Sequence, residues 1–159
     1  MSKKVKSASL ETAFLSQEND TIKLVFVAVL TLILTFVLIF LEQTILPIPW
    51  FFEELAKAVV IFWLIWPMTS RSSRLLGALI FSLVFSLSEN IFYFLNFAQQ
   101  SSIDQYLWRF VWPTLMHLFT VFFMLFFSWR DRRLVFLAMI ITMVVHYLYN
   151  TRLVAYLGF

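Results

Sequence analysis

The chain contains no cysteine, which excludes disulfides, thiolate metal sites and cysteine nucleophiles. Glycine is almost as scarce: Gly77 and Gly158 are the only two in 159 residues, few for the broken helices on which many transporters rely. Charge is sparse as well. With 13% charged and 62% hydrophobic residues and a mean hydropathy of +0.87, the sequence is too apolar to solvate the outside of a water-soluble domain. The formal net charge is only +3, and no stretch joins a basic cluster to a soluble fold, so no nucleic-acid partner is expected. There is also no His-Glu-x-x-His zinc signature.

What is present is a series of long apolar runs. The first, Leu24 to Leu41, is longer than a signal-peptide core and lacks a small-residue cleavage site after it, so it is expected to remain as a span. Pro47 and Pro49 mark a turn before a second run, Trp50 to Trp66. Three more follow at Leu75 to Phe97, Leu107 to Phe127 and Leu134 to Leu157. These runs predict an all-α polytopic membrane bundle of about five transmembrane helices over residues 23–159, preceded by a polar tail or interfacial segment over 1–22. Lys3, Lys4, Lys6, Lys23, Arg71, Arg74, Arg130, Arg132 and Arg133 fall on one side of this topology. The positive-inside rule then places the amino terminus in the cytoplasm and assigns Glu42, Asp104 and Arg109 to loops on the other side.

The second run is the unusual one. Glu53 and Glu54 stand side by side in it, with Lys57 one turn on. Each charged group costs roughly 2.5–3.5 kcal/mol in a bilayer core on insertion scales, so such residues persist mainly where they line a polar site enclosed by protein. In the third run Ser82, Ser86, Glu89, Tyr93 and Asn96 recur on one helical face, with Asn90 beside them. A polar seam joining helices is the plain alternative, but it does not account for Glu89. The fourth run carries His117 and Thr120, with Arg109 near its outer end; the fifth carries His146 and Asn150 four residues apart. Counted from the predicted outer boundary, Glu53, Glu54, Glu89, His117, His146 and Asn150 lie at similar depths, between about 5 and 17 Å, and so are expected to meet in one cavity. Carboxylates, imidazoles and an amide gathered below an outer surface form a set suited to activating water.

The ordered motifs Glu53-Glu54-x-x-Lys57, Phe85-x-x-x-Glu89-Asn90 with Tyr93, Arg109 followed by His117-Leu118-Phe119-Thr120, and His146-x-x-x-Asn150 resemble the PrsW family of intramembrane proteases, distant relatives of the CAAX prenyl endopeptidases. The chain differs from that pattern in carrying Val84, Phe122 and Phe123 where glycines are common. The resemblance implies hydrolysis of a peptide bond of a membrane-anchored protein or peptide in a bacterial or archaeal cytoplasmic membrane, by a protein that acts alone or as a homo-oligomer. Either Glu53 or Glu54 is then the general base. His146 and Asn150 donate to the oxyanion and His117 assists proton transfer, with Glu89 in the same set and Lys57, Asn90, Tyr93, Arg109 and Thr120 in support. No cofactor is assigned on this reading. Zinc held by Glu89, His117 and His146 is the internal alternative. A proton or cation pathway through the same residues, or a binding scaffold without activity, are the alternatives from other classes.

Overall fold

The structure is a computed structural model that describes residues 2–45, 48–97 and 103–153, with side chains described over 17–45, 48–95, 107–108 and 110–152. It is an all-α bundle, as the apolar runs predict. The helices are α1 (Ser2–Thr44), α2 (Pro49–Val60), α3 (Arg71–Phe97), α4 (Ile103–Ser128) and α5 (Leu134–Leu148). A π-helical turn, Ile61–Ile65, continues α2, and a second, Tyr149–Leu153, continues α5. Among the described residues, four helical segments are long and apolar enough to cross a membrane: Gln17–Thr44, Arg71–Leu95, Phe110–Ser128 and Leu134–Arg152. The fifth rod, Pro49 to Ile65, is about 25 Å long at 1.5 Å per residue and carries the buried charges.

Neighbours in the bundle follow chain order except for α2. Helix α1 packs on α3, α3 on α4 and α4 on α5, while α2 with its π turn touches all four. The outer helices therefore keep an apolar face outward. On α1 this face comprises Val25, Phe26, Val29, Leu32, Ile33, Phe36 and Phe40, all exposed. Against lipid tails such a face gains nothing by burial, so close packing rather than water exclusion holds helices together. The core supports this: Ala58, Ile61 and Ile65 interlock with Phe81, Val121, Met124, Leu125 and Ala138. Gly77 lets α3 approach Met68 closely; a Cβ there would lie 3.1 Å from the Met68 Sδ.

Many buried hydroxyls are satisfied within their own helices. Thr35 donates to the Thr31 carbonyl at 2.8 Å, Ser82 to Ala78 at 2.7 Å, Ser88 to Val84 at 2.7 Å and Thr142 to Met139 at 3.0 Å. Ser82, predicted as part of the polar stripe of the third run, is thus committed to the α3 backbone. Pro113 lies inside α4 and has no N–H to give the preceding turn. Thr114 beside it donates its hydroxyl to the Phe110 carbonyl at 2.7 Å.

Two placements correct the sequence reading. Glu42 lies within α1, because that helix runs on to Thr44 instead of ending at Leu41. Asp104 and Arg109 belong to α4, whose first turn starts at Ile103. The side chains of Asn96 and Arg109, and residue Pro47, lie outside what the structure describes.

Candidate functional site

At the end of the bundle where α1 finishes and α2 begins, a cavity of about 260 Å³ opens between the helices. Helix α1 contributes Glu42, α2 Pro49 and Glu53, and α3 Glu89 and Tyr93. The far wall is Pro113, Met116 and His117 from α4, with His146, Tyr149 and Asn150 from α5 and its π turn. Of the residues singled out in the sequence, Glu53, Glu89, Tyr93, His117, His146 and Asn150 therefore share one cavity. Glu54, Lys57, Asn90 and Thr120 stand behind it.

The neighbouring glutamates have separate surroundings because adjacent positions on a helix point about 100° apart. Glu54 is fully buried, and its Oε1 accepts from Lys57 Nζ at 2.5 Å and from His146 Nδ1 at 2.9 Å. Lys57 is also fully buried; it donates to Thr120 Oγ1 at 3.4 Å and sits 5.3 Å from the centre of the Phe85 ring. A buried ion pair of this kind persists only where both charges find further polar partners. Here His146 and Thr120 supply them. Glu53, by contrast, faces the cavity, and its Oε2 is buried without a hydrogen-bond partner. His146 Nε2 lies 3.8 Å from that oxygen, too far for a direct hydrogen bond.

The second imidazole is held from the opposite side. His117 Nε2 and Glu89 Oε2 are 2.6 Å apart, the His117 ring leans on Phe85 at 4.9 Å, and its Nδ1 is buried without a partner. The two imidazole rings meet edge to face with centroids 5.8 Å apart. Each histidine thus has one nitrogen against a glutamate on another helix, which fixes its ring and leaves its other nitrogen without a close partner.

Asn90 has a different position from the one its place beside Glu89 implies. Its amide donates to Ser86 Oγ at 3.2 Å and to Thr114 Oγ1 at 3.5 Å, and Ser86 and Thr114 are themselves 2.6 Å apart. It therefore joins α3 to α4 below the site. The metal-ligand set also differs from the one read from the sequence. One ligand atom each from Glu53, Glu89 and His117 lies within 4.8 Å of the others. His146 is not in that group; its Nδ1 is held by Glu54.

Glu42 is the cavity residue that sequence reasoning missed. Its carboxyl comes within hydrogen-bonding reach of Glu53, and its Oε1 is buried without a partner on the protein. Its position two residues before the end of α1, inside helix and not loop, was the signal that could have brought it to the site. Glu42, Glu53 and Glu89 together give the cavity more carboxyl groups than fixed cations, because Lys57 is already paired with Glu54.

Compared with protein-family models, with curated proteins and with solved structures, the chain has no match.

Proposed function

We propose that this protein is an intramembrane peptidase of the PrsW type, which uses Glu53 to activate water against a peptide bond of a membrane-anchored substrate. The observation that carries the reading is the unpartnered Glu53 Oε2 facing His146 Nε2 across 3.8 Å at the edge of a cavity. That gap suits a water molecule better than a direct contact. Glu53 takes a proton from the water, and the resulting hydroxide adds to the scissile carbonyl carbon. His146, held through Nδ1 by Glu54, and the Asn150 amide stand where the oxyanion needs donors. Glu53 passes that proton to the neighbouring His117–Glu89 pair, which delivers it to the departing amine as the carbon–nitrogen bond breaks. One water is consumed, and one acid and one amine result.

On this reading the two glutamates have different roles. Glu53 is the base, and Glu54 positions His146 while neutralising Lys57. With Lys23, Arg71, Arg74, Arg130, Arg132 and Arg133 at the opposite end of the helices, the positive-inside rule turns the cavity outward. A substrate must then present an unwound segment near the outer surface, where water reaches it and unwinding is least costly.

A metal-dependent version of the same reaction is favoured by one specific observation, the convergence of Glu53, Glu89 and His117. These residues fit the donor chemistry of zinc, which would supply Lewis acidity to a bound water. The 2.6 Å contact between His117 and Glu89 would have to open to admit an ion.

The test is co-expression with single-span membrane proteins and mapping of the amino termini of any products. Glu53→Gln is expected to lower cleavage by at least about 100-fold without loss of the folded protein. Cleavage at wild-type rate by Glu53→Gln refutes the base assignment. Ion flux without cleavage refutes the peptidase.

A further inference from the structure

The end of the bundle away from the cavity carries a surface that peptide hydrolysis does not use. Three arginines lie over aromatic rings there. The Arg71 guanidinium is 4.2 Å from the centre of the Trp129 ring, Arg74 is 4.4 Å from Trp66, and Arg132 is 4.7 Å from Phe62. Phe62 and Trp66 are about one turn apart at the end of the α2 rod, Arg71 and Arg74 open α3, and Trp129 and Arg132 lie in the turn between α4 and α5. Three separate parts of the chain are thus joined at one rim.

A guanidinium held over a ring keeps its N–H donors in the fork geometry that matches a phosphate. Arg71 and Arg132 are both exposed, whereas Arg74 donates Nε–H to the Met68 carbonyl at 2.9 Å. Two carboxylates at this end are engaged locally, whereas Glu18 is exposed. Asp20 accepts from Thr69 Oγ1 at 2.6 Å and from the Thr69 amide at 3.1 Å, and Asp131 accepts from the Arg133 amide at 2.8 Å. Directly beside the arginines the surface becomes apolar. Exposed Phe126 lies 5.8 Å from Trp129, and exposed Trp63 lies 5.4 Å from Phe62. An anionic head and an apolar tail are matched side by side.

We propose that this rim is a binding site for an anionic phospholipid, with the phosphodiester held by the Arg71 and Arg132 edges and an acyl chain lying along Phe126 or Trp63. A free phosphate uses only half of this surface, because it has no contact to make with the apolar flank. A lipid uses both halves, and basic pockets between helices on the cytoplasmic side are where anionic headgroups collect. The site needs no cleavage activity, so it stands or falls separately from the peptidase reading.

The experiment is native mass spectrometry of the full chain released from micelles that contain equal phosphatidylglycerol and phosphatidylcholine with the same acyl chains. Wild type is expected to retain phosphatidylglycerol about tenfold over phosphatidylcholine. The paired variant Arg71→Gln, Arg132→Gln is expected to retain both lipids equally with unchanged helical circular dichroism, and Arg152→Gln, at the other end of α5, is expected to keep the preference. Should the paired variant fold poorly, addition of salt to wild type gives the same readout, since the preference must fall as ionic strength rises. No preference in wild type, an undiminished preference in the paired variant or in salt, or full displacement of the lipid by millimolar inorganic phosphate would each overturn the proposal.

Discussion

Replacing Lys57 with methionine tests whether the buried ion pair is held by its geometry. The methionine approximates the lysine stem in length and volume, so packing against Phe85 is largely kept. What disappears is the cation 2.5 Å from Glu54 Oε1 and 3.4 Å from Thr120 Oγ1. Glu54 is then left with His146 as its only donor, and Glu54 Oε2 already has no partner. Removing one member of a buried pair costs about 3–5 kcal/mol, because the remaining charge is uncompensated. Lys57→Met should lower the unfolding free energy by about that amount, measured by denaturant titration in micelles with circular dichroism as the signal. Adding Glu54→Gln removes the orphaned charge while keeping an acceptor for His146. The double variant is therefore expected to be at least as stable as Lys57→Met alone. A double variant clearly less stable than the single one, or a single variant within about 0.5 kcal/mol of wild type, refutes this account of the pair.

The opposite end offers a simpler case: Asp20→Ala frees the Thr69 and Ser70 amides and the Thr69 hydroxyl from their shared acceptor, and a loss of about 1–3 kcal/mol in the same titration is expected. Glu42→Ala removes a half-buried carboxyl from the cavity wall and should leave unfolding unchanged while slowing cleavage less than Glu53→Gln does; wild-type cleavage would exclude Glu42 from the reaction. Metal analysis of purified protein separates the two mechanisms, since a metal-dependent enzyme should carry stoichiometric zinc that Glu89→Gln loses, whereas zinc-free protein that cleaves leaves water activation to Glu53 alone.

The helices were legible because each apolar run is long, and the depth argument brought five of the six core site residues to one cavity. Glu54 is the exception, and the reason is angular: side-by-side residues cannot both face the same opening, but the sequence contains nothing to say which faces in. Lys57 pairs with Glu54 within α2, but the further partners, His146 for Glu54 and Thr120 for Lys57, come from α5 and α4, at sequence separations no local pattern reveals. Glu42 was assigned to a loop because the apolar run stops at Leu41, although a helix can continue through Glu42-Gln43-Thr44 when one side of it faces a polar cavity. The stripe on α3 reaches the cavity only in part. Ser82 is taken by its own backbone and Ser86 by Thr114, whereas Glu89 reaches His117; helical periodicity reports which face a residue shares and not which neighbour satisfies it. The π turn at Tyr149–Leu153 lay equally outside reach, since no proline or glycine marks it.

The shortness and charge of α2 bear on how the chain is made. Its 12 α-helical residues hold Glu53, Glu54 and Lys57, and at roughly 2.5–3.5 kcal/mol for each charge near mid-membrane the segment is a poor candidate for partitioning into lipid by itself during synthesis. Its pairing partners, Thr120 and His146, leave the ribosome much later. Until α4 and α5 arrive, α2 must wait in the translocation channel, at the bilayer surface, or against α1. The last two helices therefore act as the acceptors that complete its insertion, and a ribosome-stalled chain ending before His146 should leave α2 open to modification from water.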